Sequence, residues 1–495
     1  MSITNPAART NMPRSTGILI AILLSVGTTV PSLRAAPAAT SSVNVDSSGW
    51  TIFTLGANSR TVYVSSSSGS DSKHGFSPNA PVASIAKGLS LLRQGSADWL
   101  LLKKGDTWRG QQFGVLPIHG RSASEPILIS TFGTGARPLI ETNGSVAVGS
   151  LGNNQNGDFI ALVGIEFYAY LRDPNNPNFS AAALARQQAG FQFLNKINWF
   201  LMEDCKFSFY DGNAIQYPNV DTGGMSKNVI LRRNVFENSY NSNGGHSQGL
   251  YVDNVANLVL EGNLFDHNGW NSSVAGANPT VFNHDLYIQT TSGPATLIDN
   301  IFANASSHGA QVRNGGIVSD NLFVHDPIEL LIGGTASAVS DNVFTDSNDI
   351  DSLNPRGYAI DVNPSKGPIQ IHRNIIVRGA GSSDGHGILF AAGTVGNAAT
   401  HNIIYGWKNP IVDNGIANVT SPNSIDLRDY PDAERSVERY NVSIGGKPTL
   451  SDFLAEARKQ SRDNWRPSYT ARAVNEYIRA GFGTDLHDQP SAKAR

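Results

Sequence analysis

The sequence predicts an all-β solenoid: a single-stranded right-handed parallel β-helix with an N-terminal cap and short C-terminal helices. Three observations carry this. An Asn-x-Phe motif recurs along the middle of the chain, a second segment of alternating apolar residues recurs between its copies, and the composition suits short strands joined by tight turns. Of 495 residues, 49 are Gly and only 16% are charged, whereas a helical bundle would carry more Leu, Glu and Lys.

The motif appears as Asn234-Val-Phe236, Asn263-Leu-Phe265, Asn300-Ile-Phe302, Asn321-Leu-Phe323 and Asn342-Val-Phe344. It continues as Asn374-Ile-Ile376 and Asn402-Ile-Ile404, and Cys205-Lys-Phe207 and Ile165-Glu-Phe167 take its place upstream. Phe302, Phe323 and Phe344 are spaced by 21 residues, close to one β-helix coil and far from a propeller blade of about 40 to 45. Rungs of such a coil stack about 4.8 Å apart, so each motif position forms a column along the axis. Asn tolerates left-handed backbone and bonds its neighbours, which suits a tight turn. Phe two residues later is expected to fill the interior.

The second segment reads Gly249-Leu-Tyr-Val-Asp253, Asp285-Leu-Tyr-Ile-Gln289, Gly309-Ala-Gln-Val-Arg313 and Glu329-Leu-Leu-Ile-Gly333. Further copies are Gly212 to Gln216, Gly357 to Asp361 and Gly387 to Ala391. Strand alternation turns the second and fourth residues inward and the first, third and fifth outward.

The ends have other characters. Residues 1–38 read as a signal peptide: Arg9 and Arg14 precede an apolar run from Gly17 to Val26, then Ala36-Pro37-Ala38 supplies a cleavage-like site. That run is shorter than a bilayer span of about 20 residues, so a secreted or periplasmic protein with no membrane span after signal removal is expected. Residues 39–150 read as cap and first coils, 151–449 as the β-helix and 450–495 as a helical tail, with helices over Asp452–Gln460 and Ala471–Ala480 capped by Gly481. Asp173 to Ser180 reads as a loop leaving the solenoid, and the residues from Asp485 as a loose end. The net charge of −3 gives no general attraction to nucleic acid. One cysteine, Cys205, excludes an internal disulfide and a multi-thiolate metal site; it is expected to be a buried turn residue.

Tyr63-Val-Ser65 with Gly69-Ser-Asp71, Ser77-Pro-Asn-Ala-Pro81 and Gly105-Asp-Thr-Trp108 resembles the opening of secreted β-helix proteins of the pectate-lyase superfamily. With the Asn-x-Phe coils, the resemblance runs from about residue 60 to 445. It implies a protein acting on or binding polysaccharide; the superfamily holds lyases, uronan epimerases, glycoside hydrolases and proteins without a known reaction, so fold does not choose among them. It allows calcium as a cofactor, although no EF-hand-like acidic spacing is present, and no other metal or cofactor is expected. An acidic polysaccharide is the expected partner of a monomeric chain.

The outward columns point to a site. Their third position reads Ala214, Tyr251, Tyr287, Gln311, Leu331, Ala359, Leu389, and the fifth reads Gln216, Asp253, Gln289, Arg313, Gly333, Asp361, Ala391. The position before the strand reads Asp211, Gln248, His284, His308, Ile328, Arg356, His386. Three consecutive coils thus stack Tyr251, Tyr287 and Gln311 beside Asp253, Gln289 and Arg313, with His284 and His308 one rung apart. Two inserted loops, one with His246 and one with Trp270, feed into these strands and are expected to build binding walls. β-Elimination or C5 epimerisation of a uronate needs a cation for the carboxylate, a base for the C5 proton and an acid. Arg313 offers a two-pronged carboxylate partner, His284 or His308 a base, and Tyr287 or Tyr251 a proton donor. Asn283-His284-Asp285 is similar to an acidic-His motif of alginate epimerases. Two alternatives stand beside this reading. One is an inverting hydrolase using Asp285 and Glu329, read as outward and two coils, roughly 10 Å, apart. The other is a non-catalytic sugar-binding or export-associated β-helix.

Overall fold

A computed structural model describes residues 43–151, 156–216, 224–350, 356–365, 367–378, 385–427 and 429–483. The leader-like segment 1–38 and the end from Asp485 lie outside the described residues. Strands pair in parallel into three sheets of 12, 11 and 12 strands, each strand hydrogen-bonded to its equivalents in the coils before and after. The result is a right-handed parallel β-helix. One sheet, from Thr107–Arg109 to Ser424–Ile425, carries the Asn-x-Phe strands and is called the Phe sheet. The groove sheet runs from Gly114–Val115 to Asn409–Asp413, and the connecting sheet from Thr61–Val64 to Ala398–Thr400.

The interior follows from the motif. Phe236, Phe265, Phe302, Phe323 and Phe344 are fully buried and stack with ring centroids 4.8, 5.1, 4.9 and 4.8 Å apart. Burying each ring stabilises by about 1.5–3 kcal/mol, and each stacked pair adds about 0.5–1.5 kcal/mol. Leu250, Val252, Leu286, Ile288, Val312, Leu330 and Ile332 line the same lumen from the groove sheet.

The asparagines form a ladder whose geometry differs from the expectation in one respect. The left-handed residue is the one before each Asn: Arg233, Gly262, Asp299, Asp320, Asp341, Arg373 and His401, with φ from 51° to 65°. That frees each Asn to turn its amide inward. Its Oδ1 accepts from the main-chain N and side-chain Nδ2 of the preceding Asn, and its own Nδ2 donates onward, in an unbroken run from Asn234 to Asn423 at 2.9–3.0 Å. Cys205 opens the run, its amide donating to Asn234 Oδ1 at 2.9 Å. It is fully buried, as expected, and burial pushes its thiol up to about 12. Replacing Asn321 by Leu would leave the main-chain N–H of Asn300 without its acceptor and take one partner each from Asn300 Nδ2 and Asn342 Oδ1. We expect a loss of about 2–4 kcal/mol, read as a lower urea midpoint at unchanged m-value.

The solenoid is closed at one end and strapped along one side. Helix Ile85–Ser90, capped by Ser84 accepting from Lys87 N, presses Ile85, Gly88 and Leu89 onto the first rungs; a Cβ on Gly88 would meet Val64 Cγ2 at 2.6 Å. On the Phe sheet the outward positions Val235, Leu264, Ile301, Leu322, Val343, Ile375 and Ile403 are apolar, and C-terminal helices cover them. These helices span Val437–Ser443, Leu450–Ala457 and Ala471–Gly481. The helical segment therefore begins before residue 450, and Gly481 closes the last turn with Phe482 as the cap. Asp173–Ser180 carries no strand, as expected of a loop leaving the coil. No helix among the described residues is long and apolar enough to cross a membrane.

Candidate functional site

Register decides which side chains share the groove face. His284 pairs with His308, and Tyr251, Tyr287 and Gln311 align across three strands, as the columns predicted. Simple alternation fails at one place. The pairing skips Gly249, Asp285, Gly309 and Glu329, so each strand bends there and turns two successive residues inward. Asp285 and Glu329 are consequently fully buried. Asp285 accepts from the side chain of Asn268 at 2.8 Å and from Ala303 N at 3.2 Å, at an interior corner. The expected outward carboxylate pair of an inverting hydrolase does not exist.

The copy at Tyr358 is also displaced from its expected place. Ile328 pairs with Tyr358, and Leu331 with Asp361. Tyr358, and not Arg356, therefore continues the His column, and Asp361, not Ala359, continues the column of Tyr251, Tyr287 and Gln311. Arg356 still reaches the site, because its guanidinium donates to Ser307 Oγ beside His308.

The two histidines are nearly enclosed, 3% and 7% exposed, with their Nδ1 atoms 3.0 Å apart. The main-chain N–H of His308, which can only donate, points at His284 Nδ1 at 3.3 Å. His284 Nδ1 is thus an acceptor and its proton sits on Nε2. The His308 Nδ1 proton is then shared between His284 Nδ1 and Ser307 Oγ, the latter 2.9 Å away, which leaves His308 Nε2 with a bare lone pair. Burial first, then Arg356 and Arg313, pushes the His308 imidazole down to about 3. Burial and His308 hold His284 well below the ordinary range. Both rings are neutral near pH 7, one presenting a base and the other an N–H.

Around the pair, Tyr287 stands edge-on to His284 and to Tyr251, each at 5.3 Å, and Arg313 lies over the Tyr287 ring at 5.1 Å. Among the described residues the Arg313 guanidinium makes no ion pair. Gln289 Nε2 donates to Tyr287 Oη at 3.3 Å, Thr291 donates to Asp253, and the buried Gln311 Oε1 has no partner. His246 sits edge-on to Phe282 at 5.7 Å on the rim. Trp270 is not brought to this group: its ring stacks on His267 at 4.1 Å and its Nε1 donates to Asn304 O, both turn residues. A small apolar cluster joins the inserted loops. Phe179 and Leu184 pack on Tyr240, Val274 and Ala277, and the fully buried Arg172 ties them down through Tyr240 O at 2.6 Å and Asp211 at 3.0 Å.

Sequence reasoning missed three participants. Phe282 is 62% exposed on the rim, an aromatic plane free to meet a sugar face; only its place beside His284 in the inserted loop hinted at it. Tyr358 and Asp361 were hidden by the slipped alignment. Among the described residues no group of three or more His, Cys, Asp or Glu side chains is arranged to hold a metal.

No family model and no curated protein sequence matches the chain. Solved structures do align with it. A GH136 lacto-N-biosidase from Eubacterium ramulus is 14% identical, over 74% of this chain and 68% of that one, with a TM-score of 0.44. The A-module of a mannuronan C-5 epimerase from Azotobacter vinelandii is 14% identical over 67% and 89%, with a TM-score of 0.43. A rhamnogalacturonan lyase is 12% identical over 76% and 91%, with a TM-score of 0.42. The class is set by this chain's own strand pairing: a right-handed parallel β-helix.

Proposed function

We propose that the protein is an exported polysaccharide-active enzyme that binds an extended uronate-bearing chain along the groove sheet and removes the C5 proton of one uronate. The observation that carries this is the Arg313 guanidinium, without an ion pair and held over Tyr287, beside a neutral His308 whose Nε2 lone pair is available. The uronate carboxylate would take both prongs of Arg313, as a guanidinium fork fits two oxygens. Withdrawal of charge into that carboxylate makes the C5 proton acidic, and His308 Nε2 takes it. The carbanion's electron pair then either forms the C4–C5 double bond, expelling the O4 glycosidic oxygen as it gains a proton from Tyr287 or the His284 Nε2–H, or is reprotonated at C5 from the opposite face. The first course is β-elimination and the second epimerisation. A carboxylate on Arg313 also offsets one of the charges that depress His308, so substrate binding strengthens its own base. Tyr251, Gln289, Gln311, Asp253, His246 and Phe282 would hold the flanking sugars.

The test is incubation with a panel of uronans in deuterated water. Deuterium at C5, or absorbance of an unsaturated uronate, supports proton abstraction. New reducing ends with neither signal would replace it with hydrolysis, and binding without chemistry would leave a sugar-binding β-helix. Within the reaction, His308→Ala should lower turnover by about 10²- to 10⁴-fold while polymer affinity stays within about threefold, measured by affinity electrophoresis. His284→Ala should lower turnover less, because it removes the acceptor that fixes the His308 tautomer and leaves the base in place.

A further inference from the structure

Asp361 stands out on the groove face. It lies in the same outward column as Tyr287, Gln311 and Leu331, two rungs beyond Gln311, or about 9.6 Å along the axis. Its side chain is 8% exposed, close to Tyr251 at 9% and Leu331 at 7%, so it belongs to the same packed column. Its Oδ1 has no hydrogen-bond partner and no cation pairs with it among the described residues. Burial alone pushes this carboxyl up to about 6. A buried carboxyl oxygen left unsatisfied calls for an explanation, and a hydroxyl supplied by a ligand is one.

The surroundings give that partner a chemistry. Between the Arg313 coil and the Asp361 coil lies an apolar rung of Ile328 and Leu331, nearly enclosed like Asp361 itself. Beside Asp361, Tyr358 and His386 stack with centroids 5.0 Å apart and planes at 15°. One sheet face thus carries, among the described residues, a cation without an ion pair at Arg313 and a carboxyl without one at Asp361, two coils on.

We propose that the groove selects a heteropolymer, seating a uronate on Arg313 and a neutral, hydroxyl-bearing sugar on Asp361. Asp361 accepts hydrogen bonds from the hydroxyls of that neutral unit, and it repels any unit that carries its own carboxylate, since like charges across an interface act against the wrong partner. This rests on the reading that Arg313 holds a uronate, and it adds what the next sugars must be.

The test compares two size-matched oligosaccharides, a uronate homo-oligomer and one alternating uronate with a neutral sugar. Binding to the full chain is measured by titration calorimetry at mildly alkaline pH, in the His308→Ala background so that neither is consumed. The alternating oligomer is expected to bind about tenfold more tightly. Adding Asp361→Asn should weaken the alternating oligomer about threefold and strengthen the homo-oligomer, closing the gap. Adding Arg313→Ala should weaken both. Equal or tighter binding of the homo-oligomer, unchanged by Asp361→Asn but lost with Arg313→Ala, overturns the selection while leaving the uronate reading intact. If neither oligomer binds, the uronate reading falls and the selection with it.

Discussion

Arg313→Ala should lower kcat/KM on a uronan by about 100-fold or more while the protein stays folded. The guanidinium lies over the Tyr287 ring and makes no ion pair among the described residues, so its loss leaves no buried counter-charge behind. What is lost is a charge-assisted, two-pronged contact to the substrate carboxylate, the kind whose truncation costs about 2–5 kcal/mol. Part of the effect should fall on kcat, because the carboxylate gains charge as C5 loses its proton. Arg313→Lys should recover little, as an ammonium cannot reproduce the planar fork. Steady-state kinetics with a thermal melt of each variant decides the matter. Full activity in Arg313→Ala would remove the carboxylate-binding role.

The second large effect concerns stability and not turnover. Glu329 is fully enclosed, and neither carboxyl oxygen finds a hydrogen-bond partner. Burial, then Asp326 and Asp346, holds its carboxyl well above the ordinary range. Asp285 and Asp326 close by are raised in the same sense, chiefly by burial. A carboxyl raised in the folded state favours folding while both states are protonated, below about pH 4, and that contribution is lost as pH rises through the folded value. Ion-paired groups such as Glu237, which Lys206 and Arg458 hold low against the penalty of burial, run the other way and weaken the fold in strong acid. Glu329→Gln keeps the shape without the charge. It should raise stability by about 1–3 kcal/mol near pH 8, a few degrees in Tm, and change it little near pH 4. Melts of both proteins at the two values check this; a variant equally destabilised at both would show that the native carboxyl is ionised and satisfied.

The lumen was legible in the sequence because a stacked column repeats one choice many times: seven Asn and five Phe in phase leave little freedom. The face of the groove sheet was legible only where coils keep the same local shape. Asp285 and Glu329 were misplaced because strict two-residue alternation assumes a straight strand, and these strands bend at that residue to turn the corner of the coil. Asp361 was misread because apolar residues at Tyr358, Ile360 and Val362 fit two registers equally well, and hydrogen bonding to the Ile328–Gly334 strand selects one. The His pair was visible as a column, but which ring nitrogen accepts within it depends on one main-chain N–H, which no side-chain pattern encodes. Trp270 illustrates the converse: a residue type suited to sugars, consumed by its own loop.

The strap on the Phe sheet has a consequence for how the molecule is made. Val235, Leu264, Ile301 and Leu322 meet their cover only in residues from Val437 onward, which leave the ribosome after all the coils they cover. Until then a finished stack of coils presents an apolar stripe along its flank, the kind of surface through which incomplete chains associate. A chain ending shortly before Val437 should therefore emerge with its groove built and still be lost to association. Productive synthesis depends on that helical strap arriving before a neighbouring molecule does.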